Sequence, residues 1–164
     1  MNGFAIGLGG GKHIMKKIIP ETDSLNIIHI LLVDDNAFVR KGLCALLKAE
    51  RHFEVVGQAR DGREAVKMAH TLRPDVILMD IAMPVLNGFE ATLEIIAANP
   101  AAKVLILSAH SEDEYLKRGV AVGAVGFLEK QTAPEILAEA VREVAKGKYF
   151  FSPAIAKRRA SGLG

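Results

Sequence analysis

Apolar residues fall along this chain in two alternating rhythms. Short, nearly continuous apolar runs cover Ile27–Val33, Phe53–Ala59, Asp75–Asp80, Lys103–Ala109 and Val125–Leu128. Between them lie longer stretches whose apolar residues recur every three or four positions, as on one face of a helix. Ala37–Ala49 puts Val39, Leu43, Leu46 and Leu47 on such a face. Asp61 and Glu64 open a second helix with a capping box, and Pro74 ends it after Leu72. Gly88–Ala98 is a third, closed by Asn99-Pro100. Ser111 and Glu114 cap a fourth, and a last helix turns Ile136, Leu137, Ala140, Val141 and Val144 inward.

The result is five strand–helix units in strict alternation. Strands that are apolar throughout are covered on both faces, which calls for helices on both sides of a parallel sheet. Right-handed crossovers then give an α/β, flavodoxin-like, doubly wound five-stranded sheet in the order 2-1-3-4-5. A length of 164 residues suits one domain with loose ends. Residues 1–26 show neither rhythm and are expected to be a flexible leader, with Met15 as an alternative start. Gly11-Lys12 is not a phosphate-binding loop, because Ile6 stands where its first glycine belongs and His13 where a Ser or Thr belongs. The folded domain is expected over 27–148, with 149–164 a linker stub.

In such sheets the functional crevice lies beyond the carboxyl ends of the strands. Asp34 and Asp35 follow the first strand, Asp80 ends the third, Ser108 ends the fourth and Lys130 follows the fifth. Three carboxylates at one edge repel one another unless a cation intervenes. Mg2+ suits them, since it takes oxygen ligands and needs only a few carboxylates. Asp34 and Asp35 can hold the ion while Asp80 offers one oxygen to it and the other as a nucleophile. Lys130 and the Ser108 hydroxyl then complete a set that can position and neutralise a phosphoryl group. Each residue also has an ordinary role: Asp34-Asp35-Asn36 as helix caps, Asp80 as a turn residue, Ser108 as a strand end, Lys130 as a solvated lysine. It is their convergence on one edge that favours the chemical reading.

The segments Val33-Asp34-Asp35-Asn36, Asp80 to Gly88 (DIAMPVLNG), Leu107-Ser108-Ala109 and Gly126-Phe127-Leu128-Glu129-Lys130 resemble the signature set of response-regulator receiver domains of two-component systems. The resemblance runs over about residues 28–147. It implies Asp80 as phosphoacceptor, Asp34 and Asp35 as the acidic pair, and the Ala82 carbonyl as a further Mg2+ ligand. It also implies Ser108 as switch hydroxyl, Phe127 as switch aromatic, Lys130 as the family lysine, and a sensor histidine kinase as donor. On this reading the chain is a cytoplasmic signalling switch and not an enzyme acting on other substrates. Phe53–Ala59, Asp61-Gly62 and Gly147–Pro153 are similar to the NarL/FixJ (LuxR-type) subfamily, in which a helix-turn-helix domain follows. That implies transcription as the output, DNA contact only through a domain absent from this chain, and a phosphorylation-dependent homodimer. Ala138, Val141 and Ala145 form the candidate apolar patch for that dimer. Gln131 stands where the family often has proline after a cis bond. Such a bond costs about 2.5–4 kcal/mol before a non-proline residue, so the Lys130-Gln131 geometry stays open.

Charge and composition narrow the alternatives. A formal net charge of +2 leaves no dense basic face for nucleic acid, and Lys157–Arg159 reads as solvated linker. The single cysteine, Cys44, excludes an internal disulfide and reads as a small buried hydrophobe in a reducing compartment. No apolar run reaches the ~20 residues of a membrane span. A haloacid-dehalogenase-type phosphatase needs an acid two residues after its nucleophile, where Ala82 stands. A flavin carrier would place a phosphate where Asp34 and Asp35 would repel it.

Overall fold

The computed structural model describes residues 26–132 and 134–161. The elements run β1 (Ile28–Val33), α1 (Ala37–Ala49), β2 (Phe53–Ala59), α2 (Gly62–Leu72), β3 (Val76–Asp80), α3 (Gly88–Ala98), β4 (Val104–Ser108), α4 (Asp113–Ala121), β5 (Gly126–Glu129), α5 (Pro134–Ala145), β6 (Phe150–Phe151) and α6 (Pro153–Ala160). All strand pairs are parallel, in the order β2-β1-β3-β4-β5-β6. Every residue of β3 and β4 is buried, whereas β2, at the edge, is mostly half-buried. This is why the central runs are continuously apolar.

Successive strand residues point to opposite faces, and two cores follow from that alternation. Leu31, Val33, Ile77, Met79, Ile106 and Phe127 pack under α2, α3 and α4 through Ala65, Ala69, Phe89, Ile95 and Leu116. Ile30, Leu32, Leu78, Leu105 and Leu128 pack under α1 and α5 through Cys44, Leu47, Leu137, Ala140 and Val144. Cys44 is buried, as expected, and Leu46 is left half-exposed on α1.

The local signals mostly act where the sequence put them. Asn36 caps α1 by accepting from the N–H groups of Phe38 and Val39. Asp61 caps α2 from Glu64 N–H at 2.8 Å, while Glu64 reaches back to Arg60 N–H. Asn87 and Glu90 form a reciprocal box at α3. Ser111, however, does not cap α4. Glu112 holds that position, and no side chain caps the helix.

Three larger expectations need correction. Among the described residues the sheet has six strands, not five, because Phe150-Phe151 extends past β5 and pairs with Gly126-Phe127. The stretch expected as linker therefore carries β6 and α6, and Ile155 of α6 is wholly buried. Two adjacent aromatics and one isoleucine are enough to seat that helix on the sheet edge, a signal too short to read as a period. Ala138 and Val141, offered as an exposed patch, are buried, and Ala145 packs against the α1–α5 core. Their small side chains let α5 sit close to the sheet. The expected leader and Met15 fall outside the described residues, apart from Asn26. Among the described residues no helix is long and apolar enough to cross a membrane, and no peptide bond is cis, the Lys130-Gln131 bond included.

Candidate functional site

The parallel sheet delivers the ends of β1, β3, β4 and β5 to one edge. The register sets Val33 beside Met79, Asp80 beside Leu107 and Ser108 beside Glu129. Asp34 lies one residue past β1, tied by its N–H to the Ala59 carbonyl at 3.1 Å. Its Oδ1 accepts from Asn36 N–H at 2.9 Å, which turns its carboxyl over the crevice instead of out to water. Asp34 and Asp80 are almost completely buried, while Asp35 is exposed. Even so, one carboxylate oxygen from each of Asp34, Asp35 and Asp80 lies within 4.8 Å of the others.

Lys130 closes the site. Its Nζ stands 2.7 Å from Asp34 Oδ2 and 3.1 Å from Asp80 Oδ1, and its backbone N–H donates to the Ser108 carbonyl at 2.8 Å. That backbone bond anchors the turn after β5 to the end of β4. Ile81 N–H donates to the same Asp80 Oδ1 at 2.9 Å. Asp80 Oδ2 has no such partner among the described residues. Burial, and then the Asp34 charge, push the Asp80 carboxyl up from 3.8 to about 6, against the pull of Lys130 and of Ile81 N–H. Burial opposes the charge of Lys130 as well, but its hydrogen bonds and attraction to Asp34 and Asp80 outweigh this and hold the ammonium above its ordinary value.

Ser108 is buried at the end of β4. Its Oγ accepts from His110 N–H at 2.9 Å, leaving the hydroxyl hydrogen free to be donated elsewhere. Ala82 lies two residues past Asp80 in an exposed loop, and among the described residues no donor reaches its carbonyl oxygen. Phe127, on β5, is almost fully buried. The structure thus brings Asp34, Asp35, Asp80 and Lys130 together, with Ser108 at the end of neighbouring β4, Ala82 in the loop that follows Asp80, and Phe127 buried on β5.

Two residues that sequence reasoning passed over support this edge. Arg40 donates from Nη1 to the Asp34 carbonyl at 2.7 Å, fixing the turn that carries the acidic pair. A long cation in the first turn of the helix that follows two aspartates was a usable signal. His110 stacks on Tyr115 with ring centroids 4.8 Å apart, joining the loop after Ser108 to α4. Nothing local in the sequence announces that contact, because it depends on where α4 lies.

A pocket with several carboxylates, one raised to about 6, and one partly buried cation suits a divalent metal and acyl-phosphate chemistry. The donor set fits Mg2+: oxygens only, and a shared negative charge that one lysine does not cancel.

Comparison with known proteins agrees. The response regulator receiver domain profile matches residues 30–142. The transcriptional regulatory protein DegU of Brevibacillus brevis is 42% identical over 130 residues, covering 79% of this chain and 55% of DegU. The response regulator GacA of Pseudomonas aeruginosa is 37% identical, covering 82% of this chain and 63% of GacA. The chain therefore spans little more than half the length of these curated relatives. A LuxR-family two-component response regulator from Aurantimonas sp. SI85-9A1 superposes with a TM-score of 0.79 at 32% identity, over 82% of this chain and 96% of that one. The receiver domain of the putative response regulator NarL from Mycobacterium tuberculosis gives 0.71 at 30% identity, over 74% and 98%. With its fold, its acidic edge and its sequence all in agreement, this chain belongs to the response regulator receiver family of two-component systems, among LuxR-type relatives.

Proposed function

We propose that this chain takes a phosphoryl group onto Asp80 from a phosphohistidine of a sensor histidine kinase, in a Mg2+-dependent reaction in the cytoplasm. The observation that carries the reading is the Asp80 carboxyl itself. It is buried at the sheet edge, with Oδ1 held by Lys130 and Ile81 N–H and Oδ2 without a partner. Oδ2 is then the nucleophile. Its bond to phosphorus forms as the phosphorus–nitrogen bond breaks, and the electron pair leaves with the donor imidazole. The product is an acyl phosphate on Asp80. Lys130 sits beside the charge that develops, and the free Ser108 hydrogen can be donated to a phosphoryl oxygen. Asp34, Asp35, Asp80 and the Ala82 carbonyl would hold Mg2+, which when bound supplies the positive charge that lets an anionic phosphoryl group approach three carboxylates. The chain acts chemically only on itself.

Incubation with Mg2+ and acetyl phosphate should add one phosphoryl group by intact mass, and chelation of the metal should prevent it. An unmodified chain after saturating donor and Mg2+ would refute the reading. Asp35→Ala is expected to weaken Mg2+ binding at least about tenfold, since it removes one of few carboxylate ligands. Without metal it should melt no lower than the wild type, because a like charge has gone. A metal titration followed by melting temperature reads both, and a clear loss of stability without metal would count against an acidic cluster built for a cation.

Drawing Ser108 towards the phosphoryl group frees space on the β5 side, which favours Phe127 packed inward. The output we assign is transcription, through a DNA-binding segment outside these 164 residues, as the relatives' names suggest. Phosphorylation-dependent homodimerisation through α1 and α5 belongs to the same proposal. With Ala138 and Val141 buried, the apolar part of that contact falls to exposed Phe38 and Leu46 of α1. Beryllofluoride with Mg2+ should shift the chain from monomer towards dimer in sedimentation velocity. Ser108→Ala should remove the shift while leaving much of the phosphorylation. A wild-type distribution indifferent to beryllofluoride would rule out dimerisation as the output.

A further inference from the structure

We infer that α6 is a latch on the phosphorylation switch, with Arg158 as its positioning residue, so that docking of α6 and occupation of Asp80 by a phosphoryl group favour each other. The inference rests on the phosphoacceptor reading above.

Helix α6 touches both ends of the relay between Ser108 and the outer sheet edge. At one end, β6 pairs with β5 so that Phe151 lies beside Phe127, and Ser152 N–H donates to the Phe127 carbonyl at 3.1 Å. At the other end, Arg158 Nη2 donates to the carbonyl of Ser111, in the loop between β4 and α4 three residues past Ser108. Between these points Ile155 is fully buried in the same core as Phe127, Ile106 and Leu116. Arg159 lies over the Phe151 ring at 4.4 Å from its centroid, a cation–π contact that adds to the seating of α6 on β6. The residues expected to be solvated linker are therefore engaged, Lys157 excepted, which is exposed.

The direction of the coupling follows from Phe127. Its ring is packed inward, the arrangement favoured when Ser108 is drawn towards a phosphoryl group, and α6 is docked on that arrangement. Anything that stabilises the inward ring and the pinned loop therefore stabilises both the docked helix and the phosphorylated site. Binding linkage is reciprocal, so each must raise the occupancy of the other by the same factor. One contribution opposes docking: Arg158 Nε is buried with no acceptor among the described residues, and an unmade hydrogen bond of this kind works against the docked helix. If α6 were merely a cover for the sheet edge, it would not respond to the site at all.

The test uses the full chain with Mg2+ and beryllofluoride. Amide hydrogen exchange over residues 150–160 should slow about fivefold or more when the mimic binds, at the lower end of typical coupling factors. Arg158→Ala should need about fivefold or more beryllofluoride for half-saturation. Lys157→Ala removes the same charge from the same helix without touching the loop, and should titrate like the wild type. If the mimic binds but exchange over 150–160 is unchanged or faster, the latch is wrong, and the wild-type measurement decides this even if Arg158→Ala folds poorly. Equal titrations of folded Arg158→Ala and wild type would overturn it too. A wild type that binds no beryllofluoride would instead bring down the Asp80 reading and the latch with it.

Discussion

Asp80→Asn is expected to leave the chain unable to gain a phosphoryl group while making its metal-free fold more stable. The first effect is a loss of chemistry, because an amide at this position has no anionic oxygen to attack phosphorus. The second comes from electrostatics. A carboxyl raised from 3.8 to about 6 binds its proton more tightly in the folded chain than in the unfolded one. Stability therefore falls as pH rises through that window, and above about pH 6 the full cost of the buried charge is present. A rise of this size corresponds to roughly 3 kcal/mol at most, so the variant should gain about 1–3 kcal/mol at pH 7.5, several degrees in Tm. The gain should shrink below pH 6 and vanish near pH 4. Lys130 does not blur the window. Its folded value is raised, so its contribution is complete below its unfolded value of 10.5 and is lost only at higher pH. Added Mg2+ should stabilise the wild type far more than the variant. Intact mass and melting curves at pH 4, 6 and 7.5 are the measurements. A phosphoryl group of equal lability on Asp80→Asn would refute the site, and a lower Tm at pH 7.5 would refute the electrostatic account.

Much of this site could be read in the sequence, for a physical reason. Parallel strands buried on both faces have to be apolar throughout, so a polar residue at the last position of such a run stands out. Asp80 after Val76-Ile77-Leu78-Met79 is the clearest case, and Ser108 after Leu105-Ile106-Leu107 repeats it. The doubly wound arrangement then places every strand end on one edge, and proximity follows without coordinates. The hydrogen bonds could not be read. Which Asp80 oxygen Lys130 takes, and that Asp34 is turned inward by Asn36 N–H, depend on turns of two or three residues.

The helix faces and the chain's end were less legible. The stripe on α5 was wide enough that Ala138 and Val141 could be assigned to either side, since alanine and valine give weak signals at a boundary. Burial of Ala138 shows α5 seated closer to the sheet than a narrow stripe implies. The segment after Gly147 carried too few apolar residues for a period, and basic Lys157, Arg158 and Arg159 looked like solvent-facing charge. Arg158 and Arg159 instead use their guanidinium groups against a carbonyl and a ring. Neither contact has a local signature, because each depends on β6 extending the sheet.

Gly88→Ala is expected to destabilise the chain and to slow its phosphorylation, although it adds only a methyl group. A Cβ built on Gly88 would lie 2.0 Å from the Asp80 carbonyl oxygen and 2.9 Å from Ile81 Cα, both backbone atoms that cannot swing aside. The close approach is tied down from both sides. Gly88 N–H donates to the Ile81 carbonyl at 2.9 Å, and Thr92 Oγ1 donates to the Gly88 carbonyl at 2.7 Å from inside the core. To admit a methyl group, α3 must move away from the end of β3, or the loop between them must buckle. Overpacking typically costs about 1–3 kcal/mol, and contact with backbone that cannot swing aside puts this site at the upper end. The same displacement pulls on the turn in which Ile81 N–H holds Asp80 Oδ1. A shift near 1 Å in a reacting group can slow transfer by about a hundredfold, so the variant should phosphorylate slowly from acetyl phosphate even where it is folded. Gly42→Ala is the control. Nothing lies within 4 Å of a Cβ there, on the exposed side of α1, and helix propensity alone should raise stability by about 0.5–1 kcal/mol. Urea unfolding and initial phosphorylation rates of the two variants read both effects. A Gly88→Ala chain as stable and as fast as the wild type would mean that β3 and α3 do not meet at this distance, and that Asp80 is not held by the stitch between them.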